Sequence, residues 1–227
     1  FPYTTLFRSA KESMKEIARF SFAASIQQSV MNFGILVVQG LVNSFGVAVM
    51  AAFTAAVKID SFAYMPAQEF GNAFSLYVSQ NFGAGKEDRV KKGVQRALGI
   101  SMIFCLVISV LVFGFAKYLM LLFVSPSETE IISIGVGYLR VEGAFYCGIG
   151  ILFLLYAFYR GINKPEMSLI LTIISLGTRV LLAYVLAPIP SVGVMGIWWA
   201  IPVGWFLADM TGIIYMVVRV RKNWTCL

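Results

Sequence analysis

Six apolar segments occupy most of the chain, and short turns that carry charges or helix-breaking residues separate them. A transmembrane helix needs about 20 predominantly apolar residues, and each segment reaches that length. So much apolar surface requires a lipid environment, and we predict an all-α membrane protein, a bundle of six transmembrane helices. The predicted spans are residues 15–43, 47–82, 93–116, 131–159, 165–187 and 194–218.

The composition supports the membrane class and argues against several others. Hydrophobic residues make up 59% and charged residues 13% of the 227 residues, whereas soluble domains carry about 25% charged residues. Histidine is absent and Cys105, Cys147 and Cys226 form no CxxC pair, so we expect no metal site and no bound cofactor. No nucleophile–base arrangement is visible, which argues against an enzyme. The net charge of +7 comes from basic residues at segment ends, which argues against nucleic-acid binding.

Basic residues also predict the orientation of the bundle. With six spans, the basic stretches 11–19, 86–96 and 160–164 and the C-terminal tail fall on one side of the membrane. The turns on the other side offer only Lys117. Because cytoplasmic loops carry the excess of Lys and Arg, we expect both termini in the cytoplasm, in a multi-pass protein of the plasma membrane.

Amide side chains share one face of the first predicted span. Gln28, Asn32 and Gln39 are four or seven residues apart, and Asn72 belongs to a similar polar stripe in the second span. Amides inside a membrane must find partners or water. Two explanations stay open: hydrogen bonds between neighbouring helices, and a water-filled cavity, which a stripe of this length favours.

Seven charged residues lie within or close to the predicted spans, where a charge costs at least about 2.5–3.5 kcal/mol at the centre of the bilayer. They are Lys58, Asp60, Glu69, Arg140, Glu142, Arg179 and Asp209. In one interpretation the three cations are structural partners of the acids. In the other, an acid titrates and couples proton or sodium movement to a substrate. Full pairing would leave one acid over, and the sequence does not show which one.

A motif near the end of the second span resembles one of the multidrug and toxic compound extrusion (MATE) family. The run Gln80-Asn81-Phe82-Gly83-Ala84-Gly85 is followed by a basic turn, and only the preceding Ser79 departs from the glycine that is frequent there. The stretches 51–56 and 160–165 are similar to that family as well. The resemblance implies a transporter of twelve helices in two six-helix bundles, with a central cleft that opens to one side at a time.

The resemblance also implies how much of such a transporter is present. We expect residues 10–227 to form the C-terminal bundle and the N-terminal six-helix half to be its missing partner. Residues 1–9 fit neither a span nor a signal sequence, and we expect them to be a non-native scar. In one branch of the family an acid on the first helix and an aspartate on the fourth help to bind sodium. This chain has Gln27 and Gln28 on the first helix and Glu142 on the fourth, which places coupling in the other half as an alternative.

We therefore expect a cation-coupled antiporter, driven by H⁺ or Na⁺, that exports drugs or organic metabolites by alternating access, with cationic compounds as the favoured substrates. The expected lining residues are Gln28, Asn32, Gln39, Asp60, Glu69, Asn72, Glu142 and Asp209. One alternative is a lipid-linked saccharide flippase of the same superfamily, which would need a cationic cavity, although the charged set is not net basic. The other alternative is a membrane scaffold that transports nothing.

Overall fold

The computed structural model describes residues 11–220, and helices account for nearly all of them. The element bounds are α1 Lys11–Asn43, α2 Val47–Gly83, α3 Glu87–Met120, α4 Thr129–Ala144, α5 Tyr146–Gly161, α6 Pro165–Leu186 and α7 Val194–Tyr215, followed by a π-helical turn Met216–Val220. The predicted scar lies outside the described residues. The architecture confirms the predicted all-α membrane bundle.

Five of these helices are long and apolar enough to cross a membrane, and the pair α4–α5 brings the number to six if it is one bent span. The fourth predicted span, residues 131–159, is divided into α4 and α5 by a break at Phe145. The two helices meet at an angle of 54°. Phe145 leaves helical geometry with φ −115° and ψ 16°, and its N–H donates to the carbonyl of Glu142 at 2.9 Å. Gly143 and Gly148 flank the break and lower the cost of leaving the helix.

Helix ends follow local sequence signals. Gly85 has φ +67° in the turn between α2 and α3, a backbone conformation that favours glycine. Glu87 and Asp88 occupy the first turn of α3, where carboxylates interact favourably with the helix dipole. As a result α3 begins at Glu87, within the basic stretch 86–96 and ahead of the predicted span 93–116. Pro165 opens α6 at a position where its missing N–H costs nothing.

Small residues bring the helices into close contact. In α7 small residues recur every four positions and are buried: Gly196, Ala200, Gly204, Ala208 and Gly212. A Cβ on Gly204 would lie 2.4 Å from the carbonyl oxygen of Ser175 in α6. Between α2 and α5, a Cβ on Gly71 would lie 3.2 Å from the carbonyl oxygen of Phe153. Because lipid supplies no hydrophobic drive for helix association, such backbone approaches carry much of the packing.

Candidate cation and substrate sites

Asp60 lies in a buried polar cluster where α2 meets α4 and α5. Only 5% of the residue is exposed. The Tyr146 hydroxyl donates a hydrogen bond of 2.6 Å to Oδ1, and the Tyr138 hydroxyl makes a longer contact of 3.5 Å with Oδ2. A buried carboxyl group needs such donors because burial removes its water. Asp60 is thus held by tyrosines from two further helices.

Glu142 brings a second acid to the same place. It is fully buried, and neither of its carboxyl oxygens has a hydrogen-bond partner among the residues that the structure describes. It interacts electrostatically with both Asp60 and Arg179. Because Tyr138 and Glu142 are four residues apart in α4, they lie on one helical face. That face is directed at Asp60.

Arg179 of α6 supplies the cation of this cluster. It is partly buried, and it interacts electrostatically with Asp60 as well as with Glu142. We call Asp60, Glu142, Arg179, Tyr138 and Tyr146 the acidic cluster. Both carboxyl groups interact electrostatically with the same guanidinium, so ionisation of both acids would leave a net negative charge inside the bundle. Such a charge is costly unless a proton or a metal cation neutralises it.

Three aromatic rings close the acidic cluster on the side of α7. Trp198 is 1% exposed and stacks on Phe53 at a centroid distance of 5.4 Å. Both rings also meet Tyr138 edge to face, at 4.9 Å from Trp198 and 5.6 Å from Phe53. Rings in such contact leave no room for water between them. Electrostatic interactions next to them are therefore stronger than in water.

Asp209 is also buried, but away from the acidic cluster. It is 6% exposed, and its Oδ1 has no hydrogen-bond partner within the described part of the chain. It faces α5, where a Cβ on Gly148 would lie 3.8 Å from its Oδ2. Asp209 therefore stays a predicted lining residue, at a position separate from the acidic cluster.

The amides of α1 lie on one face, as their spacing indicates. Gln28 donates a hydrogen bond of 3.1 Å to Asn32, and Gln39 donates one of 3.2 Å to Asn43. Gln28 and Asn32 are exposed, whereas Gln39 is partly buried. Both bonds stay within α1, so the face remains available to water, to a ligand or to another part of the protein.

Two grooves carry several of the predicted lining residues. A small one of about 130 Å³ lies between α1, α2 and α5, and Gln28, Asn72 and Arg160 belong to its lining. There the Arg160 guanidinium donates a hydrogen bond of 3.1 Å to Asn72, which donates one of 3.2 Å to the exposed Glu69. Gln39 and Lys58 line a second groove of about 550 Å³, beside the first half of α2.

The three predicted charge partners differ in their surroundings. Arg179 joins the acidic cluster, but Lys58 and Arg140 are exposed. The Arg140 guanidinium lies over the Phe113 ring of α3, 5.6 Å from its centroid. Lys58 and Asp60 point to different faces of α2, as two residues so close in a helix must.

Sequence reasoning missed three residues of these sites. Tyr138 could have been found, because it precedes Glu142 by one helical turn. Tyr146 could not, because the break at Phe145 changes the direction of α5 relative to α4. Arg160 was read as part of a basic turn, yet it lies in the last turn of α5 and reaches Asn72.

The family model MatE matches residues 23–185. The chain belongs to the MatE family. A probable multidrug resistance protein, YpnP of Bacillus subtilis, is 32% identical over 159 residues, which are 70% of this chain and 35% of that protein. The probable multidrug resistance protein NorM of Thermotoga maritima is 25% identical over 82% of this chain and 40% of its own length.

A solved structure shares the fold of this MatE chain. A MATE protein in complex with MaL6 matches it with a TM-score of 0.89 at 24% identity, over 95% of this chain and 49% of that chain. The chain thus spans about 35–40% of the length of the curated relatives named above and about half of the solved protein. Both curated relatives named above carry the name of probable multidrug resistance proteins.

Removal of the Tyr146 hydroxyl should destabilise the acidic cluster. In Tyr146→Phe, Asp60 keeps only the longer contact with Tyr138, and losing one hydrogen bond to a buried acid costs about 1–3 kcal/mol. Thermal unfolding in detergent should show a lower midpoint than in the native protein. Tyr118→Phe is the matched control, because Tyr118 is 66% exposed. Equal midpoints for both variants would contradict a structural role for the hydrogen bond.

Proposed function

We propose that this chain is the C-terminal half of a cation-coupled antiporter that exports small organic molecules by alternating access. The acidic cluster is the observation that carries the proposal. Asp60 and Glu142 come from different helices and are balanced by Arg179 alone among the cations that interact with them. A site with an excess of acid inside a membrane protein suits a proton or a sodium ion.

The chemistry of Glu142 supports the coupling role. Both carboxyl oxygens are buried without hydrogen-bond partners among the described residues, so the group gains from binding H⁺ or Na⁺. Asp60, by contrast, already accepts a short hydrogen bond from Tyr146. We therefore assign the exchangeable cation to Glu142 and a supporting role to Asp60 and Arg179.

The substrate surface in this proposal is the polar face that α1 and α2 leave open. Gln28, Asn32 and Gln39 on α1, with Asn72 on α2, offer hydrogen bonds to a substrate. Glu69 brings an acid to this face, and Arg160 and Lys58 bring cations to its two grooves. A second six-helix half would cover this face and complete the cleft. Organic cations are the substrates that Glu69 and the buried acids favour. We propose the plasma membrane as the location, with both termini in the cytoplasm.

The test is transport by the full-length protein in vesicles with imposed ion gradients. We expect efflux of a cationic dye when either a proton or a sodium gradient is imposed, with no efflux when gradients are collapsed. An efflux rate that is the same with and without either gradient would contradict coupling to a cation.

The same vesicles distinguish the alternatives. A flippase would instead move a lipid-linked saccharide, and a scaffold would move neither compound. The buried charged groups argue against the flippase, because Asp60, Glu142 and Asp209 are buried and no Lys or Arg is buried among the described residues. A pyrophosphate would meet repulsion there.

A further inference from the structure

An outward-facing groove between α3 and α4 carries two cations that the transport mechanism does not use. The groove has a volume of about 630 Å³, and Lys117 and Arg140 belong to its lining. Both residues are exposed, and no Asp or Glu belongs to the lining. Glu128 and Glu130 flank the lining residue Thr129 along the chain, and both are exposed without belonging to the lining. The groove is therefore a positively charged surface without a counter-charge of its own.

The surroundings of this groove are apolar and face outward. Phe113 is 48% exposed and Val110 is 71% exposed on the neighbouring surface of α3. Such a surface is suited to lipid tails rather than to water. Arg140 lies over the Phe113 ring, so its charged end is held at the edge of this apolar face. Thr129 and Ser133 add exposed hydroxyl groups to the lining.

The position of the groove along α3 agrees with the depth at which lipid headgroups lie in a membrane. The α3 helix has 34 residues, which makes it about 50 Å long, whereas the hydrocarbon core is about 30 Å thick. Charged residues occupy the start of α3 up to Arg96, so its apolar part runs from Ala97 to Ala116 and is about 30 Å long. Phe113 lies about 5 Å inside the outer end of that part. The Arg140 guanidinium is thus near the boundary between tails and headgroups, and Lys117 lies further out.

We propose that this groove binds the phosphate of an anionic phospholipid in the leaflet opposite to the basic start of α3. Lys117 and Arg140 contact the phosphate, the hydroxyls of Thr129 and Ser133 donate to its oxygens, and the acyl chains lie along the outer surface of α3. The lipid supplies the counter-charge that Arg140 lacks at this depth. Charge complementarity selects the lipid, because the lining holds two cations and no acid.

The experiment measures lipid retention by the purified full-length protein with native mass spectrometry. Phosphatidylglycerol and phosphatidylcholine are offered in turn, and soluble glycerol phosphate and inorganic phosphate are added as competitors. We expect preferential retention of phosphatidylglycerol and weak competition by both soluble anions. Equal retention of the two lipids, or displacement by the soluble anions at similar concentrations, would overturn the proposal.

Variants that remove one positive charge test whether the lipid binds in this groove. One Lys or Arg near the membrane surface contributes about fivefold to the affinity for an anionic lipid, so Lys117→Gln and Arg140→Gln should each lose about that factor. Lys58→Gln is the matched control, because Lys58 is exposed but lines a different groove. A loss in Lys58→Gln as large as in Arg140→Gln would contradict the assignment. If a variant fails to fold, the lipid comparison with the native protein still decides the question.

Discussion

Replacement of Glu142 by Gln should abolish most ion-driven efflux while the protein is still made and inserted. Gln keeps the size of the side chain but cannot be ionised, so the site loses the charge that would hold H⁺ or Na⁺. A loss of about 1.4 kcal/mol in cation binding already lowers the affinity tenfold, and we expect efflux to fall by at least about that factor. The measurement is dye efflux from vesicles at a fixed gradient and at a matched protein amount.

The control for this experiment lies in the same helix. Glu130 is exposed at the start of α4, so Glu130→Gln should leave efflux unchanged. Asp60→Asn should also impair transport, because it removes the acid that shares Arg179 with Glu142. Efflux in Glu142→Gln that equals efflux in Glu130→Gln would remove Glu142 from the coupling mechanism.

Replacement of Gly204 by Ala should disrupt the packing of α6 against α7. The added Cβ would lie 2.4 Å from the Ser175 carbonyl oxygen, a distance at which the backbones must move apart. Overpacking of this kind costs about 1–3 kcal/mol and occasionally more. We expect a lower unfolding midpoint in detergent and a smaller yield of folded protein.

Gly177→Ala is the matched control for this prediction. Gly177 lies in α6 like Ser175, but a Cβ there would meet no atom within 4 Å. Alanine is also a better helix former than glycine, by about 1 kcal/mol, so this variant should be as stable as the native protein or more so. If Gly204→Ala and Gly177→Ala were equally stable, the close approach of α6 and α7 would not limit stability.

The membrane fold could be predicted from local pattern alone. Lipid requires long apolar helices, and residues 194–218 or 165–187 satisfy that requirement without any knowledge of their neighbours. The shared face of Gln28 and Asn32 was equally predictable, because a spacing of four residues fixes it. These features depend on a single helix, and a single segment of sequence contains them.

The acidic cluster depends on relations that one segment does not contain. Arg140 and Glu142 are two residues apart in α4, and both carry a charge, yet one is exposed and the other fully buried. Helical periodicity places them on different faces but cannot tell which face points inward. The answer lies in the positions of Asp60 and Arg179, far away in the chain. The break at Phe145 also changes the direction of α5 relative to α4, and no proline in this part of the sequence indicates it.

The close contact of α2 with α5 limits how this bundle can rearrange. A Cβ on Gly161 would lie 2.5 Å from the Val78 side chain and 3.0 Å from the Ser75 carbonyl oxygen, and Gly71 approaches Phe153 in the same way. Because the two helices touch this closely at two points, they cannot slide along each other without steric clashes. In the transport cycle that we propose, α2 and α5 should therefore travel as one rigid body, and the break at Phe145 would let α4 carry Glu142 relative to Asp60.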